Sequence, residues 1–414
     1  MAQDQASKRA YDQPMIYHIR IKGNLGDDWA DWFGDLTIQQ DGTDTLLIAS
    51  LADQSALHGL LRKIRDLGMT LLSVECISIN KTIGGTMKAI VFNRYGSPDV
   101  LQLIEMPKPA PKDHEVLVRI YAAAANPLDW HRMRADPFLV RLSDGFSKPK
   151  NPRLGADIAG RIEAVGQGVT QFKVGDAVFG EIGSGGFAEY ALAPEKSLVH
   201  KPDSISFEQA AGTPVAGLTA LQGLRAGNIQ RGQHVLVNGA SGGVGTFAVQ
   251  IAKALGAEVT GICSTRNLEM VRSIGADHVI DYTREDFSKR NERYDLIYDA
   301  IGNFNYFTLK RALKPGGQAI IAGFTTFGHF ILTMLLGAVL PAGQNRKVGP
   351  MGTASVNQDD LVILRDLLET GKIKSVIDRC YPLSETADAI RYLETKRVRG
   401  KVIITVTDEH ESTI

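Results

Sequence analysis

The sequence predicts an α/β chain in three parts: a small βαββαβ domain, a partly barrel-like β domain, and a doubly wound parallel sheet. Three observations carry this. The apolar run Val235-Leu236-Val237 meets a turn of small residues, after which Val244, Ala248, Ile251, Ala252 and Leu255 recur at helical spacing. Between Met87 and Tyr190 short strand-like runs are punctuated by glycine. The first eighty residues give strand and helix patterns in the order β-α-β-β-α-β. At 414 residues the chain is long enough for two or three domains with full cores.

Lysine plus arginine and aspartate plus glutamate both number 46, so the net charge is zero. Bulk electrostatics therefore points to no nucleic acid and no anionic membrane as a partner. Cys76, Cys263 and Cys380 are scattered and build neither a disulfide framework nor a metal cluster. Met1 to Gln13 is polar and does not resemble a secretory signal. The longest apolar run, Phe330 to Leu340, is about half of the ~20 residues a membrane span needs. A cytoplasmic protein with no membrane span is expected.

The first domain, residues 1–80, opens with Met15 to Ile21, where Tyr17, Ile19 and Ile21 share one face of a strand. Trp29, Trp32 and Phe33 follow at helical spacing. Their aromatic face is read as core, the other reading being a binding surface. Leu36-Thr37-Ile38 and Leu46-Leu47-Ile48 flank Asp41-Gly42, a hairpin signal. Asp53 can cap a helix carrying Leu57, Leu60, Leu61, Ile64 and Leu67, stopped by Gly68. Leu72, Val74 and Cys76 alternate in a last strand. The order is that of a ferredoxin-like split unit, suited to regulation or oligomerisation. Ile79 to Thr86 is the linker.

The β domain follows. Met87 to Phe92 and Glu115 to Ile120 are strands, and Asn126-Pro127-Leu128-Asp129-Trp130-His131 is a loop. Leu154 to Gly166, Gly175 to Gly180 and Gly185 to Tyr190 are Gly-punctuated strands.

The third part turns on Gly239-Ala240-Ser241-Gly242-Gly243-Val244-Gly245. Strand, tight turn and helix make the first unit of a dinucleotide-binding fold. Small residues let the backbone approach a pyrophosphate, whose charge sits against free amides at the helix start. Ala240 stands where the first Gly of a strict GxGxxG would be. The second strand ends in Cys263-Ser264, with no carboxylate before Glu269. An NAD-type fold places an acid there for the ribose 2′-hydroxyl. Ser264 can donate a hydrogen bond and Arg266 supplies charge, which favours NADPH. The other reading of Arg266 is a solvated residue at a helix start. Val279 to Tyr282 and Tyr294 to Gly302 read as the third and fourth strands, with Met351 to Val356 as the last. Asn357 or Asp359 then caps a helix stopped by Gly371. Ser375 to Asp378, Tyr381 to Leu383 and Arg399 to Ile404 are strand-like, and Glu385 to Glu394 is helical.

These segments, in this order, resemble the medium-chain dehydrogenase/reductase superfamily, and within it the zinc-free quinone oxidoreductase branch. The resemblance covers Met87 to about Val406. It implies a GroES-like catalytic domain over 87–206, a Rossmann NADP-binding domain over 207–356, and a return to the catalytic domain over 357–414. Zinc-dependent relatives carry a Cys where this chain has Asn126, a His-Glu pair where it has Ala156-Asp157, and a four-Cys lobe. Ala156 cannot ligate and three dispersed cysteines cannot replace the rest, so no metal is expected. Without a Lewis acid, alcohol oxidation lacks a means of stabilising an alkoxide. Hydride addition to a quinone or an α,β-unsaturated carbonyl needs less help.

The resemblance also implies positions. Thr219 runs beside the cofactor, Tyr282 lies at its adenosine end, and the turns holding Ala300 and Gly302 and Gly323-Phe324 lie along the nicotinamide. Lys401 reaches cofactor phosphate. Relatives have Gly-His where this chain has Lys396-Arg397, which leaves that local turn open. Phe327 to Pro341 matches an apolar insertion that lines a pocket, forms a subunit contact or touches a membrane surface. Asn126 is expected to polarise or position the acceptor. His131 donates or relays a proton, or is simply a loop residue, and Asp129 holds the loop. The expected activity is NADPH-dependent reduction of a small quinone or enone, by a chain whose relatives form homodimers. The alternatives are an enoyl thioester reductase and a non-catalytic NADPH-binding sensor.

Overall fold

The computed structural model describes residues 15–25, 36–51, 54–77, 85–339 and 345–407. It divides into two units, Met1–Thr82 and Ile83–Ile414. In the first, β1 (Met15–Lys22), β2 (Leu36–Asp41), β3 (Asp44–Leu51) and β4 (Leu71–Ile77) form one antiparallel sheet in the order β2-β3-β1-β4, with α1 (Gln54–Asp66) between β3 and β4. Tyr17, Ile19 and Ile21 alternate onto the face that packs with Leu47, Leu60 and Ile64. Gly42 closes the β2–β3 hairpin and Gly68 ends α1, each with φ of +70°. The expected helix at Trp29, Trp32 and Phe33 and the cap at Asp53 lie outside the described residues.

The second unit opens with a ribbon of β5 (Thr86–Val91) and β6 (Gln102–Pro107). Next come β7 (Glu115–Ala125), α2 (Pro127–Arg134), α3 (Val140–Asp144), β8 (Asp157–Val165), β9 (Ala177–Glu181), β10 (Tyr190–Pro194) and β11 (Leu198–His200). Two helices, α4 (Phe207–Ala211) and α5 (Pro214–Ala226), lead into the parallel sheet. There β12 (His234–Asn238), α6 (Gly243–Ala254), β13 (Glu258–Cys263), α7 (Leu268–Ser273), β14 (His278–Asp281) and β15 (Tyr294–Asp299) succeed one another. They are followed by α8 (Tyr306–Ala312), β16 (Leu313–Ile321), α9 (Phe327–Val339) and β17 (Lys347–Pro350). The tail holds α10 (Gln358–Glu369), β18 (Ile377–Pro382), α11 (Thr386–Glu394) and β19 (Lys401–Thr405).

The β domain is a seven-stranded sheet in the order β11-β9-β8-β7-β19-β18, with β10 also paired to β7. Its last two strands come from the tail, so the chain returns to this domain as expected. The other sheet runs β14-β13-β12-β15-β16-β17, all parallel. Strand order reverses between β12 and β15, and a ligand crevice opens at the carboxyl ends of such a pair. Buried Leu361, Leu364 and Leu368 of α10 belong to one apolar cluster that joins α5 and α6 to Tyr121, Phe179 and Phe207 of the β domain.

Four expectations need correction. The last parallel strand is Lys347–Pro350, not Met351 to Val356. Pairing with β16 ends when the Met351 amide reaches the Ile321 carbonyl at 3.1 Å, and Gly352, at φ +84°, turns the chain away. The two strand-like runs near 375–383 are the single strand β18. The expected loop at Asn126–His131 is the helix α2, because Asn126 is its N-cap in a capping box with Asp129 and Pro127 suits its first position. The apolar insertion is the helix α9, which leaves Leu332, Leu335 and Val339 exposed. Among the described residues no helix is long and apolar enough to cross a membrane.

Candidate functional site

The crevice is built on the turn after β12. Gly239 has φ of +78°, and a Cβ on Gly245 would lie 2.0 Å from the Gly239 carbonyl oxygen. Only glycine permits the first turn of α6 to press this closely on the end of β12. Gly242 is the N-cap of α6 and offers no side chain to the first amides. Those amides keep their donor capacity for an anion. The turn is held from behind by β19, where the Gly400 amide donates to the Ser241 carbonyl at 2.9 Å.

A cleft of ≈1090 Å³ opens in front of the turn. Ser241, Gly242, Ser264, Arg266 and Tyr282 all line it. Asn267 ties the two serines together, its Nδ2 lying 3.0 Å from Ser241 Oγ and 3.3 Å from Ser264 Oγ. Arg266 donates to the Arg397 carbonyl at 2.5 Å. Arg284, Lys396 and Arg397 add further basic groups that sequence reasoning did not assign. The departure at Lys396-Arg397 was the available signal. Lys396 sits at φ +57°, a conformation glycine takes more readily. The nearby carboxylate of Asp281 accepts from Thr265 Oγ1 at 2.5 Å and from Thr283, and faces Arg284 at 3.6 Å. These hydrogen bonds hold its carboxyl below the usual range.

At the other end of the crevice two turns meet. Asp299 Oδ1 accepts from Asn238 Nδ2 at 2.7 Å and from the Gly302 amide at 2.8 Å. A Cβ on Gly302 would lie 2.1 Å from the Gly323 carbonyl oxygen, and one on Gly323 would lie 2.3 Å from that of Ala300. The Ala300–Gly302 and Gly323–Phe324 turns are therefore packed backbone to backbone. Thr219 lies on α5. Its hydroxyl donates inside α5 to the Val215 carbonyl at 2.6 Å, because a helical threonine finds the carbonyl one turn back.

Across from these turns three buried side chains converge from β7–α2, β8 and β19. Lys401 Nζ lies 2.5 Å from Asn126 Oδ1 and 3.4 Å from Asp157 Oδ2. Asn126 Nδ2 donates to Asp157 Oδ2 at 2.9 Å and to the Ala124 carbonyl at 3.1 Å. The other Asp157 oxygen accepts the Val215 amide at 2.9 Å, at the start of α5. Both amide hydrogens of Asn126 are thus committed to protein acceptors. Lys401 is not turned to the phosphate turn. Its stem passes Gly243 but its ammonium is drawn to the buried Asp157 carboxylate.

Two more acids surround this centre. Asp129 accepts the Asn126 amide at 2.8 Å and the Gly155 amide at 2.9 Å, which fixes the first turn of α2. Complete burial pushes its carboxyl up to about 6. Glu181 is paired in register with Asp157 across β8 and β9, so their side chains share a face. Burial and the Asp157 charge push Glu181 up to about 7. Burial also raises Asp157, against the pull of Lys401. His131 stacks on Trp130 and lies 5.6 Å, ring to ring, from Phe324. Its Nδ1 contacts the Asp136 carbonyl, which can only accept, so the proton is on Nδ1 and Nε2 is an acceptor. Burial lowers its pKa. A ring of this tautomer holds its Nδ1 proton on the Asp136 carbonyl and leaves Nε2 to accept.

The residues do not fit a zinc ion. At the positions where zinc-dependent relatives have ligands, Ala156 offers a methyl group, and Asn126 and Asp157 are bound to an ammonium. Among the described residues no group of three or more His, Cys, Asp or Glu could hold a metal. A nicotinamide dinucleotide fits the crevice: small-residue turn, open helix start, basic adenosine end and close-packed turns at the far end.

Known proteins agree with this geometry. Residues 112–203 match the alcohol dehydrogenase GroES-like domain and residues 274–404 match the family described as zinc-binding dehydrogenase. Residues 16–75 match a domain of unknown function. An NADPH-dependent alkenal/one oxidoreductase of Arabidopsis thaliana is 36% identical over 342 residues, 79% of this chain and 82% of that protein. A chloroplast envelope quinone oxidoreductase homolog of the same plant is 33% identical, over 78% of this chain and 99% of its own. The quinone oxidoreductase structure from Coxiella burnetii has a TM-score of 0.69 at 31% identity, covering 78% of this chain and 100% of its own. The chain belongs to the medium-chain dehydrogenase/reductase superfamily of alcohol dehydrogenase-like enzymes, among its quinone oxidoreductase-like members.

Proposed function

We propose that this chain is a zinc-independent, NADPH-dependent reductase of quinones or α,β-unsaturated carbonyls. One observation carries the reading. A dinucleotide crevice with a basic adenosine end leads to a buried centre where an ammonium occupies the surroundings that hold a metal in zinc-dependent relatives. The names of the relatives, an alkenal/one oxidoreductase and a quinone oxidoreductase homolog, support the acceptor class.

A bound NADPH supplies the hydride. The amides at the start of α6 hold its pyrophosphate. Ser264, Arg266 and the basic groups of 396–397 hold the 2′-phosphate, which NADH lacks. The turns at Ala300–Gly302 and Gly323–Phe324 leave backbone edges along the nicotinamide. Asn126 holds Lys401, and the Lys401 ammonium is the positive charge available to an acceptor oxygen that gains charge. Its third N–H has no partner among the described residues. Asp157 carries this centre to the start of α5 and so keeps the two domains in register.

The first unit has the strand order of a ferredoxin-like module, and we assign it a regulatory or oligomerising role beside the reductase.

The test is NADPH oxidation followed by absorbance with quinones, enones and enoyl thioesters. Turnover of the first two classes is expected. Preference for enoyl thioesters, or tight NADPH binding with no turnover by any acceptor, would replace this reading.

A further inference from the structure

Four large apolar side chains stand out in solvent on one short stretch of the β domain. Phe138, Leu139, Leu142 and Phe146 are 58, 51, 69 and 68% exposed. Phe138 and Leu139 lead into α3, Leu142 lies within it and Phe146 follows it beyond Gly145. Phe138 and Phe146 meet edge-on with ring centroids 5.9 Å apart. Arg141 fixes the patch from beneath. Its guanidinium lies over the rings of Tyr95 and Phe138 and donates to the Phe146 carbonyl at 3.2 Å.

The charge around the patch is one-sided. Residues 132–153 carry six Lys or Arg against two Asp, in a chain whose net charge is zero. Arg132 is already paired with Asp144 at 2.7 Å and Arg134 with Glu394, so the exposed positive charge is carried by Lys148 and Lys150. An apolar patch rimmed by cations suits the interface of an anionic bilayer. It does not suit a second copy. A two-fold contact through this face would set its own cations against each other.

The patch also has a telling position. α3 follows α2, whose His131 ring meets Phe324, and α9 begins three residues after Phe324 with its own exposed Leu332 and Leu335. Two exposed apolar helices therefore spring from either side of one contact at the acceptor end of the crevice.

We propose that the 138–146 face docks this chain on an anionic lipid surface, with the acceptor end of the crevice turned to the bilayer. Apolar quinones and enones dissolve there. The docking stands on the patch and its charge, and only its purpose rests on the reductase reading.

The test is flotation of the full chain with phosphatidylcholine vesicles, with and without phosphatidylglycerol. Binding to the anionic vesicles, weakened by salt, is expected. Leu142→Ser with Phe146→Ser should cut it by roughly tenfold per side chain. Lys148→Glu with Lys150→Glu should remove the preference for phosphatidylglycerol. Both pairs replace exposed side chains, so folding, read by circular dichroism, is retained. No binding at low salt, or equal binding by the Leu142/Phe146 variant, would overturn the proposal. So would self-association that the same variant abolishes, which assigns the face to a second copy. Turnover of a water-soluble acceptor is read separately. Its absence would strike the reductase reading and leave the vesicle result standing.

Discussion

Lys401 Nζ and Asn126 Oδ1 lie 2.5 Å apart although the two residues are 275 positions apart in sequence. The contact joins the last strand of the β domain to the loop after its longest strand, and Asp157 completes it. Removing the ammonium leaves a fully buried carboxylate without its counter-charge, at a cost of about 3–5 kcal/mol. Lys401→Met should therefore unfold at clearly lower urea, and adding Asp157→Asn should recover much of the loss. An unchanged midpoint for Lys401→Met alone would mean the pair holds nothing.

Arg266 decides between the two nicotinamide cofactors. Arg266→Ala should weaken NADPH binding by about 10- to 100-fold, the worth of a charged hydrogen bond, and NADH much less. Fluorescence titration with each cofactor reads this. Equal losses would remove Arg266 from the 2′-phosphate.

Glu181 gives the fold a pH dependence. Its carboxyl is raised from 4.5 to about 7, so the folded chain keeps a proton that the unfolded chain has released. That stabilisation is complete below pH 4.5 and is lost as pH rises through about 7. Asp129 acts in the same direction between 3.8 and about 6. Urea midpoints across this range should fall with pH. Glu181→Gln should flatten the upper part of the fall and leave the lower part.

His131 is held neutral, with its proton given to the Asp136 carbonyl. His131→Phe should lower kcat by less than about tenfold, below the usual worth of a general acid. The pH profile of kcat should keep its shape. A lost ionisation in that profile would restore His131 as the donor.

Metal plays no part in the proposed chemistry. Exhaustive chelation should leave NADPH oxidation unchanged, and metal analysis of active protein should find no stoichiometric zinc. Loss of turnover with the chelator, recovered by zinc, would contradict the buried ammonium.

What the sequence discloses of all this is local. Val235 to Leu255 reads directly because strand, turn and helix are set by neighbours in the chain. Ser264 and Arg266 read directly because the end of the second parallel strand has a fixed place against the phosphate turn. β17 is harder, since Lys347-Val348-Gly349-Pro350 is short and polar and is a strand only because β16 pairs with it. The hydrogen-bond partners of Lys401 and Thr219 are hidden from the sequence for a related reason. Each side chain chooses between partners that only the folded chain brings near, a buried carboxylate in one case and a helix carbonyl in the other.

The stitch between Gly400 and Ser241 has a consequence for synthesis. Lys396 and Arg397 wall the cleft and β19 backs its turn, yet they follow that turn in the chain by about 150 residues. A ribosome must deliver all of that stretch after the glycines before the nucleotide can find a finished seat. Cofactor can therefore rescue the folded polypeptide from unfolding but cannot chaperone the emergence of the turn, and removing residues 396–405 would empty the seat as surely as deleting the glycines.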